Sequence, residues 1–326
     1  MSLPTFSFTT TAEEVADVFS AEIKGKNVLI TGTSLNGIGF EAARVIAKHA
    51  NLVVITGYND ERLKLSEEAI MRETPSANIR RLTLDLSSFA AVHKAAEEVN
   101  AYPEPLHVLI NNAAAAAAGP FKLTVDKLET QMATGHLGPF LLTKLLVPKL
   151  LAAGTESYVP RVVFVSSDAH AMGTGPNLAT ITRPDAESYK LFEIYSQVKS
   201  ANILTTRELS KRSNGRINVY SLHPGAIYTN IMETEESQAD LKAAGLLGPD
   251  GKPSTQWIPV WKTIPQGAAT TVTAAFDPRL NDKPGAYLDD SKEANHKLAS
   301  HISEPEIAEK LWAVSEEVVG EKFAFN

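Results

Sequence analysis

Tyr195 and Lys199 stand four residues apart in Tyr195-Ser196-Gln197-Val198-Lys199, a spacing that puts both side chains on one face of a helix. A free phenol titrates near ~10 and is a poor proton donor or acceptor at neutral pH. A neighbouring ammonium favours the phenolate and lowers that value. The pair can therefore serve proton transfer, although helical surfaces also carry such pairs with no chemistry attached. Earlier in the chain, Val165-Ser166-Ser167 closes a β-branched run. Strand alternation sends the two serine side chains to opposite faces, so only one can join the pair. Ser167 is the candidate, with a capping or turn role as its alternative.

A second constellation lies near the N-terminus, in Thr31-Gly32-Thr33-Ser34-Leu35-Asn36-Gly37-Ile38-Gly39. Glycine permits a tight turn and close approach of backbone to a pyrophosphate. The helix that follows offers free N–H groups and a positive dipole to an anion. An ordinary strand–helix turn can also carry these glycines. The position of the turn in the first strand–helix–strand unit favours the phosphate reading.

These residues need elements to hold them, and the chain alternates strand-like and helix-like segments. Strand runs are NVLITG, LVVITG, IRRLTLDL, HVLINNAA, RVVFVSS and INVYSLHPG. Between them come GIGFEAARVIAKHA, DERLKLSEEAIMRE, FAAVHKAAEEV, a long central helix over 124–146, and SYKLFEIYSQVKSANILTTRELSKR. Short β-branched runs separated by amphipathic helices specify an α/β fold. The expected architecture is a Rossmann-type, doubly wound parallel sheet in a single domain, 24–326, after an N-terminal extension, 1–23. Two stretches break the rhythm, 168–188 and 228–265, and are read as extended substrate loops beyond the carboxyl ends of the strands. A final helix is expected within 304–323. The run Ala113–Ala118 has no physical account.

Composition narrows the function. The chain has 326 residues, 44% hydrophobic and 21% charged, with net charge -7. An acidic chain repels phosphate backbones, which argues against nucleic acid as a partner. With no cysteine, thiol catalysis, disulfides and zinc–cysteine sites are excluded, and the eight histidines do not cluster at metal-ligand spacing, so no metal is expected. The apolar segment LGPFLLTKLLVPKLLAA is broken by Lys144, Lys149 and two prolines and reads as a buried helix, not a membrane span. A cytoplasmic enzyme is the default.

Taken in order, TGTSLNGIG, LDLSS, NNAA, VSSDAH, YSQVK and HPGAIYT resemble the motifs of the short-chain dehydrogenases/reductases. The likeness is strongest to the branch of retinol-dehydrogenase-like and WW-domain-oxidoreductase-like enzymes, and runs from about Lys24 to about Phe323. It implies Ser167, Tyr195 and Lys199 as the catalytic set, with Tyr195 as general acid/base. It implies a nicotinamide cofactor held by Gly32, Ser34, Leu35, Asn36, Gly37, Ile38 and Gly39. Tyr58, Asn59, Asp85, Leu86, Asn112, Ala113 and Ala114 join that set, as do Tyr195, Lys199, Pro224, Gly225, Ile227 and Thr229. Asp85 has a strand-end turn role as its alternative. Homodimers through the two central helices are frequent in such a family and compatible here.

Three departures from the family pattern matter. Four residues, Thr33 to Asn36, separate the first two glycines where the family has three. Ala114 stands where glycine is usual. Gly135 replaces the asparagine of Asn-His-Leu-Gly that orients a water beside the lysine, so Gly135→Asn is expected to raise kcat without harming the helix if the side chain fits; the alternative is that the space has refilled and the asparagine clashes. His136, about ~100° away around the helix, reads as structural.

NAD-preferring enzymes carry an acid at the end of the second strand. Here that strand ends Thr56-Gly57-Tyr58-Asn59. The missing acid permits a 2′-phosphate; the arginine that often grips that phosphate is missing too, with Tyr58 in its place and Arg62 next in reach, and NADP(H) is favoured over NAD(H). The expected function is hydride transfer between that cofactor and the carbonyl or alcohol of a lipophilic small molecule. Ile231, Met232, Leu246, Leu247, Trp257, Ile258 and Trp261 would line the way in, or serve only to bury their loop. A low-turnover, cofactor-bound interaction protein on the same fold is the alternative.

Overall fold

The computed structural model describes residues 3–115 and 119–325; Ala116 to Ala118 of the alanine run lie outside them. Seven strands are parallel: β1 Asn27–Ile30, β2 Leu52–Gly57, β3 Ile79–Thr83, β4 Val108–Asn111, β5 Arg161–Val165, β6 Asn218–His223 and β7 Tyr287–Asp289. A two-residue strand, β8 Lys292–Glu293, pairs antiparallel to β7. The sheet order is β3-β2-β1-β4-β5-β6-β7-β8. β1 is paired on both sides, Ile30 facing Ile55 and Ile110. The order therefore reverses at β1 and β4, which opens a crevice at their carboxyl ends.

Helices cover both faces. They are α1 Ala12–Val18, α2 Ser20–Ile23, α3 Ile38–Ala47, α4 Asp60–Glu73, α5 Phe89–Ala101, α6 Thr130–Met132, α7 Gly138–Leu151, α8 Leu178–Thr182, α9 Leu191–Ser213, α10 Glu235–Ala243, α11 Ile264–Phe276 and α12 Pro305–Val319. Alternation along β1 sorts the core. Val28 and Ile30 pack with α1, α3 and α11, while Leu29 packs on the other face with α5 and α7. Every β1 side chain is buried, as a strand covered on both sides requires.

The N-terminal extension packs onto this frame. Thr11 and Glu14 form a capping box that starts α1. Val15, Phe19 and Ile23 are then buried in the same core as β1 and α11. Glu13 pairs with Arg44 of α3 at 2.9 Å and with Lys48 at 2.7 Å.

The long central helix departs from expectation at its start. Residues 124–129 form a turn with Lys127 at φ 63, not a helix. Asp126 is diverted to accept from Phe89 N at 2.8 Å, and the Glu129 carboxylate caps Gln131 N and Met132 N at 2.9 and 2.8 Å. Helix therefore begins only at Thr130, passes through a π turn over Ala133–Leu137, and continues as α7.

The chain's own α12 packs along α9 and the π turn. Trp312, 2% exposed, and Phe323 meet Phe140 of α7 at ring separations of 5.0 and 5.4 Å. Part of the α9 surface is thus covered by a helix of the same chain.

Candidate active site

The glycine-rich turn is held by backbone. Gly32 sits at φ 71, and a Cβ there would come within 2.8 Å of Ala113 Cα. Gly32 N and Thr33 N both donate to Thr56 O, at 3.1 and 3.0 Å. Ser66 of α4 donates to Thr33 O at 2.8 Å. The extra residue of the turn is accommodated by Asn36 at φ 60, a conformation asparagine tolerates. Asn112 ties the end of β4 to this turn by donating to Thr31 O at 2.8 Å and Gly32 O at 3.0 Å. Its Oδ1 is buried without a partner among the described residues.

The rest of the expected cofactor set is arranged around that turn. Ile38 and Ile227 both crowd Gly267 of α11, where a Cβ would lie 3.2 Å from Ile38 Cγ2 and 2.6 Å from Ile227 Cγ1. Tyr58 is 68% exposed, with Arg62 Nη1 3.4 Å from its hydroxyl. Asn59 caps α4 by accepting from Arg62 N at 3.0 Å. Asp85 accepts from Ser87 N and Oγ at 2.9 and 2.6 Å, so the strand-end turn role is present. Leu86 is buried.

Tyr195, Lys199 and Ser167 converge at the carboxyl end of β5. Ser166 donates inward to Lys199 O at 2.7 Å, whereas Ser167 donates to Asp168 Oδ1 at 3.1 Å, so the two hydroxyls do diverge. Lys199 Nζ is 5.4 Å from the Tyr195 ring centre and donates to Val165 O at 3.0 Å. Burial pushes Lys199 down to about 8. It also pushes Tyr195 up to about 12, against a hydrogen bond from Ser167 that pulls the other way, while the Asp168 charge adds to the rise. The expected lowering of Tyr195 by the ammonium is absent, because desolvation drives both groups toward their neutral forms.

Sequence reasoning missed two histidines that clamp this site. Asp168 N donates to His223 Nδ1 at 3.1 Å. A backbone N–H can only donate, so His223 carries its proton on Nε2. Likewise Ala299 N donates to His170 Nε2 at 3.3 Å, so His170 Nδ1 holds the proton and donates to Ser167 O at 2.7 Å. Burial lowers the pKa of both rings. Also missed was Asn230, whose Nδ2 donates to Leu35 O at 2.8 Å while its N donates to Asn36 O at 3.2 Å. It clasps the glycine-rich turn to the loop after β6. No local pattern marks these residues, because their partners are far away in sequence.

Sequence models of known families match here: the one described as short chain dehydrogenase covers residues 26–179. The chain is 36% identical over 315 residues to "Short-chain dehydrogenase TIC 32 A, chloroplastic" of Brassica napus, covering 95% of this chain and 92% of the relative. It is 33% identical to mouse retinol dehydrogenase 12, covering 92% and 88%, and 33% identical to human WW domain-containing oxidoreductase, covering 96% and 72%. The chain belongs to the short-chain dehydrogenase/reductase family. A family structure from Escherichia coli CFT073, described as complexed with NADPH, superimposes with TM-score 0.60 at 21% identity, covering 83% of this chain and 99% of that one. The chain is therefore an oxidoreductase by family. Among the described residues no helix is long and apolar enough to cross a membrane. The Brassica relative carries a chloroplast in its name, so a cytoplasmic site does not follow from membership.

Within this family Gly135 is the departure that the structure explains. A Cβ at Gly135 would lie 2.5 Å from Val198 Cγ1. The space an asparagine would need is filled by the residue next to Lys199. Of the two readings of Gly135→Asn, the geometry favours the clash. His136 is structural, as expected: it is fully buried, and Ser315 donates onward to Leu311 O at 2.8 Å, leaving its Oγ to accept from His136 Nε2 at 2.9 Å.

The substrate loop divides between the two roles considered for it. Leu247 is buried and Trp261 is tied to Ser254 O at 2.9 Å, so both support the loop. Trp257 is 67% exposed and Val260 60% exposed.

Proposed function

We propose that the protein transfers a hydride between NADP(H) and the carbonyl or alcohol group of a lipophilic small molecule. The observation that carries this reading is the convergence of buried Ser167 and Lys199 with half-buried Tyr195. Lys199 Nζ has three N–H groups and one acceptor, Val165 O. Two buried donors remain for ligand hydroxyls, and Asn112 Oδ1 offers an acceptor. These residues fit a nicotinamide nucleotide. When bound, the nicotinamide would supply or accept the hydride.

Tyr195 would exchange a proton with the substrate oxygen, and Ser167 would donate a hydrogen bond to the same oxygen. Lys199 would hold the nicotinamide ribose. Asn112, Ala113 and Ala114 would lie beneath that ribose, and Pro224, Gly225, Ile227 and Thr229 beside the carboxamide. Gly32 and the residues 34–39 would face the pyrophosphate, with Asp85 and Leu86 at the adenine. Arg62, beside Tyr58, supports the preference for NADP(H), because it can pair with a 2′-phosphate. Exposed Trp257 supports an apolar substrate, as does the name of the retinol dehydrogenase relative.

Val198 in the space of the usual asparagine favours a second reading, a cofactor-bound protein of low turnover. Steady-state assays with a panel of apolar ketones and aldehydes separate the two. Turnover with at least one of them supports the enzyme; tight NADPH binding with none turned over supports the alternative. The packing of α12 on α9 favours a monomer over a homodimer, and sedimentation velocity distinguishes the two.

A further inference from the structure

Lys199 and Lys262 are the two buried lysines among the described residues, and a lysine is seldom buried without a partner. Lys262 ends the substrate loop; the next residue, Thr263, caps α11. Lys262 Nζ donates to Asp290 Oδ1 at 2.6 Å, and its side chain is 2% exposed where that of Asp290 is 33%. Phe8 of the N-terminal extension lies over the ammonium, its ring centre 4.9 Å away. Asp290 is itself held in place. With Ser291 it makes the turn from β7 to β8 at φ 48 and 59, where residues other than glycine are uncommon. Ser291 N donates to Thr270 Oγ1 at 3.1 Å, which ties this turn to α11. Removing one partner of such an ion pair leaves the other charge without compensation.

On its way to Asp290 the lysine stem crosses the residue after Pro224. A Cβ at Gly225 would lie 2.6 Å from Lys262 Cδ and 3.0 Å from Cε, and Gly225 sits at φ 100, so backbone and stem approach as only glycine allows. Lys262 N donates to Ala226 O at 2.8 Å, and Ile227 pairs with Lys262 in an isolated parallel bridge. Lys262 thus holds this segment by its backbone and its stem, and Asp290 holds Lys262 by its far end. We propose that Lys262, anchored by Asp290, is a positioning residue that fixes the run from Pro224 to Thr229 for the nicotinamide end of the cofactor. The inference rests on the reading of that run as the carboxamide contact. Lys262 acts through Gly225 and Ala226, and the adenine end is held by other residues.

Three variants test the pair. Lys262→Met keeps an unbranched stem beside Gly225 and deletes the ammonium. Asp290→Ala deletes the anchor, at a side chain that is one-third exposed and so the safer of the two for folding. The double variant removes both. Each is titrated with NADPH and with 2′,5′-ADP, which carries the adenine side alone. A second readout needs no cofactor: hydrogen exchange of residues 225–231 in the free protein, followed by mass spectrometry. Melting temperatures report stability separately.

The expected result is that Lys262→Met weakens NADPH about tenfold and leaves 2′,5′-ADP within about twofold. Exchange of 225–231 in the free protein speeds up by about tenfold as well, because the segment has lost its hold. Asp290→Ala does the same, and the double variant is no worse than either single, since the two residues act as one unit. Equal loss of NADPH and 2′,5′-ADP overturns the proposal. So does a fall in melting temperature with exchange of 225–231 unchanged, which would make Lys262 a support of the fold at large. Additive losses in the double variant overturn the anchoring by Asp290. Failure of the underlying reading shows in wild type instead: no NADPH would bind there, whatever the exchange rates of the variants.

Discussion

The two ends of the crevice are made of different materials. Around the glycine-rich turn the contacts end on backbone carbonyls: Thr56 O accepts from Gly32 N and Thr33 N, and Leu35 O and Asn36 O accept from Asn230. Around Ser167, Tyr195 and Lys199 they run through side chains, and desolvation shifts the pKa values of Tyr195 and Lys199. A backbone-built end accepts an inserted residue, as Asn36 at φ 60 shows, because carbonyls can be met by a new donor. A side-chain-built end has no such slack. There a single methyl group, Val198 Cγ1, decides what residue 135 can be.

The comparison is tested hardest at Tyr195. Tyr195→Phe keeps the ring and deletes the exchangeable proton, so kcat should fall by about 10²–10⁴. NADPH affinity by fluorescence titration should stay within about twofold, since the backbone-built end is untouched. Retained turnover would show that the chemistry is not where the side chains converge.

Next comes acid stability. Burial holds His136 down to about 4 from its ordinary 6.5. The sign follows: the unfolded chain takes up a proton that the folded chain refuses, so stability is fully present above about 6.5 and is lost as pH falls toward about 4. The full loss from this one group is on the order of 3 kcal/mol. His107, also held down to about 4, adds to it. Urea midpoints across that window should fall steeply for wild type and less steeply for His136→Gln; parallel curves would remove His136 from the account.

Packing beside the lysine is the third test. Gly135→Ala should cost about 1–3 kcal/mol by overpacking against Val198. In the Gly135→Ala, Val198→Ala double variant the penalty should be smaller than the sum of the singles, because the vacated methyl makes room. Additive unfolding energies would mean that the two residues do not compete for space. Gly135→Asn should lower stability and leave kcat no higher.

The smallest effect belongs to the backbone-built end. NADPH should bind more tightly than NADH, and Arg62→Ala should narrow that preference by about tenfold. Arg62 is an exposed side chain, which limits its contribution. A wild-type preference for NADH would defeat the reading of Tyr58 and Arg62.

Much of this was legible in the sequence because it is local. The strand–helix alternation set the sheet, and α4 spans Asp60–Glu73 as its periodicity indicates. The divergence of Ser166 and Ser167 followed from strand alternation alone. The unread parts depend on distant partners. The start of the central helix was lost because Asp126 serves Phe89 instead of its own helix. The desolvation that raises the pKa of Tyr195 was not foreseen because burial is a property of the fold, not of a four-residue spacing. His170 and His223 take their tautomers from backbone groups of Ala299 and Asp168, which no motif records.

The seat taken by α12 bears on behaviour at low concentration. A helix supplied by the same chain is present at an effective concentration fixed by its tether, whatever the amount of protein in solution. The covering of α9 therefore does not weaken as the protein is diluted. The same arrangement puts the chain at risk from proteolysis near Glu304. A cut there would free the helix and uncover Phe140 with its neighbours, leaving an apolar face that invites self-association.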